Sequence, residues 1–479
     1  MQSTARDFKE NAKEALADAP LQDSLKRLAT GFPVKRAAAK ARLPEFEDLR
    51  DQAKAIKEKV LADLDLYLER FEEQVIAAGG QVHWARDAAE ARDIILNICK
   101  DKDAKTVTKS KSMIGEEIAI NDHLDRNGVK PIETDLGEYI IQLRNEPPSH
   151  IIAPAIHLSK EQVAEAFYEE HTHLDADRSL EEPTALLNEA RSELRNKFLA
   201  ADVGLSGANM LVAETGSIAL VTNEGNADLT VTLPKTHIAI ASIEKIVPTL
   251  EDASTILRVL ARSATGQEIT VYTTFLTGPK RSVDPDGPEE FHIVLLDNGR
   301  TKMLGSEFHD MLRCIRCGAC INHCPVYGAI GGHAYGWVYS GPMGAVLIPN
   351  LIGVEEAGNL PNASTLCGKC QEVCPMRIPL PKMLRSWRER QFEKNLTPGF
   401  SRFALKAWAW LARQPGLYRL TMGLGVGVLG ALGRSKGYFT SLPLAGGWTG
   451  SRDLPAPQGG TFIKQYHAAN GQAAKGGQS

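Results

Sequence analysis

The spacing of apolar residues changes period along this chain, and the changes divide it. After Pro44, apolar positions recur at three and four: Phe46, Leu49, Ala53, Ile56 and Val60, then Leu64, Leu68, Phe71 and Val75. That spacing predicts one long amphipathic helix, ended by Gly79-Gly80. Its apolar seam is short for a coiled coil, which favours packing on its own domain. From Gln81 the pattern alternates. Strands are predicted at Gln81–Trp84, Lys105–Thr108, Pro131–Thr134 and Ile151–Ala153, with helices at Asp87–Lys100 and Met113–Arg126. Ala91, Ile94, Ile95 and Ile98 point inward on the first of these helices. Strand–helix–strand alternation implies parallel βαβ units and an α/β domain. Residues 160–200 read as polar helices. Ile218–Val221, Leu229–Leu233 and His237–Ala241 read as strands, Leu250–Ala264 as a helix, Pro279–Pro288 as a loop and Phe291–Leu296 as the last strand. Asn298-Gly299 closes this domain, and 301–313 form a short helix. Residues 1–44, with Pro20, Pro33 and Pro44, read as short helices or a loosely attached arm without chemistry. The expected division is 1–44, 45–300, 301–395 and 396–479.

Composition narrows the class. At 479 residues the chain exceeds one compact core. Its 43% hydrophobic and 24% charged content is that of a soluble globular protein, and a net charge of -4 gives no general attraction to nucleic acid. Met1–Leu28 lacks the apolar core of a signal peptide, and no run reaches the roughly 18 apolar residues of a spanning helix. A cytoplasmic location is expected.

Cysteine changes the picture most. Seven of the eight cysteines form Cys314-x2-Cys317-x2-Cys320-x3-Cys324-Pro325 and Cys367-x2-Cys370-x3-Cys374-Pro375. Such clustering suits metal binding in a reducing compartment, and the first run has the spacing of a bacterial ferredoxin. In that pattern the fourth cysteine serves the partner cluster, and each proline stops a helix from running through the last ligand. Cys314, Cys317, Cys320 and Cys374 are therefore assigned to one iron–sulfur cluster, and Cys324, Cys367 and Cys370 to the other. Where the second motif would begin stands Ser364. A [3Fe–4S] cluster fits there, as does a [4Fe–4S] cluster with Ser364, water or another group on the fourth iron. The available hydroxyl favours the second form. Zinc would leave one of two sites short of four ligands. The 42 residues between the motifs carry His333–Tyr339 and Gly341–Ala345, read as a shield against water. Cys99, with no second cysteine near it in sequence, reads as an inert thiol.

Two other stretches could bind a ligand. Thr108-Lys109-Ser110-Lys111-Ser112 lies at a strand-to-helix turn, where helix N–H groups, Lys109, Ser110 and Ser112 could hold an anion; a capped helix with solvated lysines is the plainer reading. Glu214, Thr215, Glu224 and Asn226 sit on two small-residue turns, either a ligand pocket or turn chemistry alone. His171 and His173 read as surface residues. No nucleotide-binding fingerprint occurs.

From Lys382 to Lys436 there are eleven Lys and Arg against Glu389 and Glu393, with Trp387, Phe392, Trp408 and Trp410 interspersed and a Gly-interrupted apolar run at Met422–Gly433. This is either a docking face for a partner subunit, the preferred reading, or a surface resting on an anionic membrane. The last 35 residues read as a frayed tail, apart from Trp448–Pro455.

Ala213-Glu214-Thr215-Gly216 with Thr222–Asn226, Cys314–Cys320, Tyr335–Tyr339 with Gly341-Pro342, and Leu366–Pro375 together resemble the lactate utilization protein B family of bacterial iron–sulfur proteins. The resemblance covers nearly the whole chain beyond its first few dozen residues. It implies a three-layer lactate-utilisation domain, similar in fold to sugar-phosphate isomerases and CoA-transferases. An α-helical ferredoxin-type domain and a helical C-terminal region follow. It implies two [4Fe–4S] clusters and a role in oxidising L-lactate to pyruvate with two sister subunits, one cysteine-rich and one consisting of the α/β domain alone. The gap at Ser364 belongs to that family's pattern. The resemblance identifies neither the electron acceptor nor the lactate site, and it allows a peripheral place at the inner face of the membrane. The alternative is a self-contained ligand-binding α/β enzyme whose clusters are regulatory or redox-sensing.

Overall fold

Ten strands appear in the first 300 residues: β1 (Gln81–Ala85), β2 (Thr106–Lys109), β3 (Lys130–Glu133), β4 (Val203–Ser206), β5 (Met210–Val212), β6 (Ser217–Thr222), β7 (Thr236–Ser242), β8 (Ile246–Val247), β9 (Tyr272–Leu276) and β10 (Glu290–Leu296). The structure is a computed structural model that describes residues 3–443, 445–450, 452–458 and 460–476. It divides into units 1–391 and 392–479. In the first unit six strands form a parallel sheet in the order β1-β10-β7-β4-β2-β3, and a second sheet runs β8-β5-β6-β9.

The large sheet is buried on both faces, as parallel sheets are. Ile238 and Ile240 of β7 and Val294 and Leu296 of β10 meet Ala91, Ile95 and Ile98 of helix Ala88–Asp101 on one side. Ala239, Ala241, Phe291, Ile293 and Leu295 meet Leu68, Phe71 and Val75 of helix Leu64–Ala77 on the other. The period-2 alternation of each strand thus feeds two cores, giving three layers. Cys99 is fully buried in the first core, and burial pushes its thiol up to about 12, which suits the inert reading.

Several expectations need correction. The long helix is two, Phe46–Ala62 and Leu64–Ala77, broken at Asp63 (φ -128°, ψ 45°). Its halves serve different cores, Phe46, Leu49 and Ala53 packing with the cysteine-bearing segment and Leu64, Leu68 and Phe71 with the sheet. Met113–Arg126 is likewise broken, at Ala119 in the left-handed region (φ 51°). Ile151–Ala153 is not a strand: the His150 ring accepts the N–H groups of Ile152 and Ala153, so the segment turns. Leu229–Leu233 lies in and just beyond helix Asn226–Thr232, whose buried residues include Ala227, Thr230 and Val231 while Leu229 and Leu233 are exposed. Residues 301–313 hold two 3-10 turns rather than one helix. His171 is buried between Tyr139 Oη (2.8 Å) and Glu189 (2.7 Å), whereas His173 is exposed as expected.

Residues before Pro44 form helices Phe8–Ala17 and Ala19–Ala41, and they are not loose. Thr4 donates its N–H to Gly336 O (2.8 Å), Gln22 Nε2 donates to Ala329 O (2.9 Å), and Arg36 reaches Val373 O (2.8 Å). The second unit contains helices Gly399–Ala412, Pro415–Gly433 and Phe462–Gly476, and a short antiparallel pair, Tyr438–Phe439 with Leu454–Pro455. The tail is therefore helical as far as Gly476; within the Trp448–Pro455 stretch, Ser451 lies outside the described residues. Helix Pro415–Gly433, at 19 residues and mean hydropathy 1.2, is longer than the apolar run alone indicated and is apolar enough to cross a membrane.

Helix Asn226–Thr232 crosses β4 closely enough that a Cβ on Gly204 would stand 2.0 Å from Thr230 O. Gly204→Ala is expected to destabilise the protein by about 1–3 kcal/mol, read by urea denaturation of the full chain.

Candidate functional site

The two cysteine motifs are the same local structure repeated 50 residues apart, Cys317, Cys320 and Cys324 matching Cys367, Cys370 and Cys374. In each, the residue before the first matched cysteine takes a positive φ (Arg316 59°, Leu366 55°) and the glycine after it another (Gly318 70°, Gly368 84°). Each glycine opens a four-residue helix, Ala319–Asn322 or Lys369–Glu372, which carries the next cysteine. Glycine serves because the left-handed region costs it nothing. Arg316 and Leu366 bear that cost, so the loop is held by its surroundings.

The structure sorts the seven thiols into two groups. Cys314, Cys317, Cys320 and Cys374 line one small apolar cavity with Met311, Met343 and Ile378. Cys367 lies close enough to Cys324 and Cys370 to raise the thiol pKa of each, and Cys324 raises that of Cys370. Burial, then neighbouring thiols, pushes Cys317 up to about 12 and Cys320 well above its ordinary value. Thiols so placed resist ionisation without a cation, and soft iron supplies one. The donor set therefore fits the clusters implied by its spacing. Cys367 differs: it is exposed, and the Lys369 N–H holds its pKa down.

Ser364 stands where the repeat would place a partner for Cys314, and its Oγ accepts the Leu366 N–H at 3.1 Å. Of the residues between the motifs, Tyr335 and Tyr339 are fully buried and Trp337 nearly so. The Tyr335 hydroxyl lies against Cys324 and has no oxygen or nitrogen partner.

Around the first group stands a shell of arginines that the sequence did not mark. Arg50 donates to Cys374 O (2.6 Å) and Glu372 O (2.7 Å), and Arg36 to Val373 O (2.8 Å). Arg36 comes from helix Ala19–Ala41 and Arg50 from helix Phe46–Ala62. A charged residue on an otherwise apolar face, as Arg50 is between Leu49 and Ala53, was the one available signal.

Arg316 belongs to a buried chain of charges joining the cysteine segment to the α/β domain. Arg300 pairs with Glu117 (2.7 Å) and Glu244 (2.9 Å), and Glu244 also with Arg316 (3.3 Å). Tyr339 Oη and Asn298 Nδ2 donate to Glu117 at 2.6 and 2.7 Å, and Lys57 donates to Glu244 O. Despite burial, the guanidinium groups of Arg300 and Arg316 hold the Glu244 carboxyl at about 2.

The candidate ligand residues separate. Ser110, Ser112, Glu224 and Asn226 line one cavity of about 290 Å³. Lys109 does not reach it: fully buried, it is held between Glu116 (2.9 Å) and Glu133 (2.6 Å), so its charge is already matched. Glu214 and Thr215 lie at the opposite end of β6, where Glu214 accepts the N–H of Leu250 (3.1 Å) and Thr215 bonds Ser217 (2.7 Å). Ser112 caps helix Met113–Glu117 through Gly115 N, and Lys111 is tied to Ile152 O rather than solvated.

Residues 68–296 match the LUD domain, and residues 310–378 the 4Fe-4S dicluster domain. Lactate utilization protein B of Bacillus licheniformis is 43% identical over 458 residues, 95% of each chain. Its namesake in Geobacillus thermodenitrificans is 45% identical over 432 residues, 90% of each. The uncharacterized electron transport protein YkgF of Escherichia coli K12 is 42% identical over 473 residues, 98% of each.

Glu244→Gln would leave Arg300 and Arg316 sharing no full negative charge at that position, and is expected to cost about 3–5 kcal/mol of stability. Because the folded-state pKa of Glu244 is depressed from 4.5 to about 2, its contribution is complete above about 4.5 and is lost as the pH falls toward 2. The stability gap between wild type and Glu244→Gln, from denaturation at successive pH values, should close over that window.

Proposed function

The chain belongs to the lactate utilization protein B family, and from that premise we propose that it relays electrons released when L-lactate is oxidised to pyruvate. An electron-transfer role in lactate utilization follows from the family and from its 4Fe-4S dicluster domain. The observation that carries the finer reading is the 50-residue repeat with its two thiol groups. Cys314, Cys317, Cys320 and Cys374 hold one [4Fe–4S] cluster. Cys324, Cys367 and Cys370 hold the second, with Ser364 completing it through its hydroxyl. Each cluster, when bound, supplies a one-electron redox centre, so two suit a two-electron oxidation.

The chain's own residues give the pair a direction. Arg36, Arg50 and Arg316 surround the first thiol group with positive charge, which favours its reduced, more negative state. The second group has Arg388 on the Ser364 carbonyl (2.8 Å) and Lys369 near Cys367, but it opens to solvent at Cys367, beside the exposed Leu366. The first group faces the α/β domain through Arg316, and the second faces outward, where an electron acceptor or a sister subunit can dock. Buried Tyr335 and Tyr339 keep water from the interior side. The basic, aromatic helix Gly399–Ala412 and the apolar helix Pro415–Gly433 offer a docking surface for a sister subunit, on the cytoplasmic side of the membrane.

Anaerobic purification followed by iron and sulfide counting tests the assignment. About eight irons per chain support two cubanes, about seven a [3Fe–4S] second site, and none ends the reading. Cys374→Ser should remove the EPR signal of the first cluster and spare the second, and Cys324→Ser the reverse. Loss of the opposite signal in each would overturn the exchange of ligands between motifs.

A further inference from the structure

The cavity of about 290 Å³ lies where a ligand site belongs in an open parallel sheet. Ser110–Ser112 follow β2, Gly207–Asn209 follow β4 and Lys245 follows β7, so its walls come from the carboxyl ends of strands. The chain runs from β2 outward to β3, then returns to place β4 on the other side of β2. Loops at such a reversal diverge and leave a crevice.

One end of this cavity is positive and short of partners. Arg316 is almost wholly buried and lies over the Tyr339 ring (5.3 Å), yet among the described residues its Nε and Nη1 have no hydrogen-bond partner, and only Nη2 reaches Glu244, at 3.3 Å. Lys245 is 8% exposed and makes no hydrogen bond or ion pair among the described residues. Buried donors left unpaired are costly, and an anion satisfies them. The other end carries Asp135, Glu224 and Asn226. Lys111, tied to Ile152 O, offsets part of that charge, and the two carboxylates still disfavour a phosphate dianion while accepting a hydroxyl.

Resting on the relay proposed above, we infer that this cavity binds a small 2-hydroxy- or 2-oxo-carboxylate. Its carboxylate lies on Arg316 and Lys245, and its second oxygen faces the acidic end. Arg316 and Ile151 also line the space between Cys314, Cys317, Cys320 and Cys374, so the Arg316 guanidinium is the charged group between the bound anion and the first cluster. An anion there offsets positive charge beside Cys314 and makes that cluster harder to reduce. By linkage, the reduced protein binds the anion more weakly.

The test is calorimetric titration of the anaerobically purified, cluster-loaded full chain with L-lactate, pyruvate and inorganic phosphate. Saturable one-to-one binding of a carboxylate, without binding of phosphate, is expected. Lys245→Met should weaken it at least about 10-fold, the worth of a charge-assisted hydrogen bond, with iron and sulfide content unchanged. Ala264→Leu, which fills the cavity from another wall without altering charge, should weaken it too. In a redox titration the first cluster's midpoint should move to more negative potential when the carboxylate is present. Absence of binding, phosphate binding as tightly, or unchanged affinity in both variants overturns the site, and an unmoved midpoint overturns the coupling. A chain that binds neither carboxylate while its clusters still cycle loses the cavity assignment alone. One that binds while its clusters stay inert keeps it and loses the relay.

Discussion

Everything in the first unit turns on a buried line of charge, Glu117–Arg300–Glu244–Arg316. Each member comes from a different part of the chain: a helix after β2, the segment after β10, the link between β7 and β8, and the first cysteine loop. None can be hydrated where it lies, so each is tolerable only while its neighbours are in place. Apolar contact would allow the cysteine segment to slide on the α/β domain by an ångström at small cost. A chain of alternating charges allows one register. The line thus fixes where the cysteines stand relative to the sheet, and it ends on Arg316, which with Ile151 borders both the thiol-lined space and the larger cavity.

The two halves of the cysteine repeat share a backbone but not an environment. Position 316 is a buried arginine and position 366 an exposed leucine, position 314 a thiol and position 364 a hydroxyl. Reduction potential follows charge, hydrogen bonding and solvent access. Equal loops in unequal surroundings therefore make two centres that differ, which a relay with a beginning and an end requires. The difference is built partly within the repeat, at positions 314/364 and 316/366, and partly by Arg36 and Arg50, remote in sequence.

What could be read from the sequence was local. The spacing 314–317–320–324, the alternation of β7 and β10 and the Gly79-Gly80 stop depend on neighbours, and the structure has them as the pattern implies. The failures have a common cause. Leu229–Leu233 alternates like a strand, but the close crossing at Gly204 selects a helix with Thr230 inward. Ile151–Ala153 looks extended until the His150 ring takes its N–H groups. Lys109 reads as a solvated lysine because nothing local announces Glu133 beneath it. The strands β5 and β8, of three and two residues, are too short to show a period. In the candidate pocket, Ser110, Ser112, Glu224 and Asn226 come together because the sheet places their turns at one end. Glu214 and Thr215 share the same small-residue character but lie a strand's length away. Arg36 and Arg50 escaped notice because their partners lie more than 300 residues on.

That last separation bears on how the protein is made. Arg50 grips the carbonyl of Cys374 across 324 residues of chain. On the ribosome helices Ala19–Ala41 and Phe46–Ala62 emerge first, and Arg36 and Arg50 meet their partner carbonyls only after nearly the whole first unit has been synthesised. The clasp can close only after the last cysteine has left the exit tunnel. Cluster insertion and arm docking thus become late, coupled steps of biogenesis.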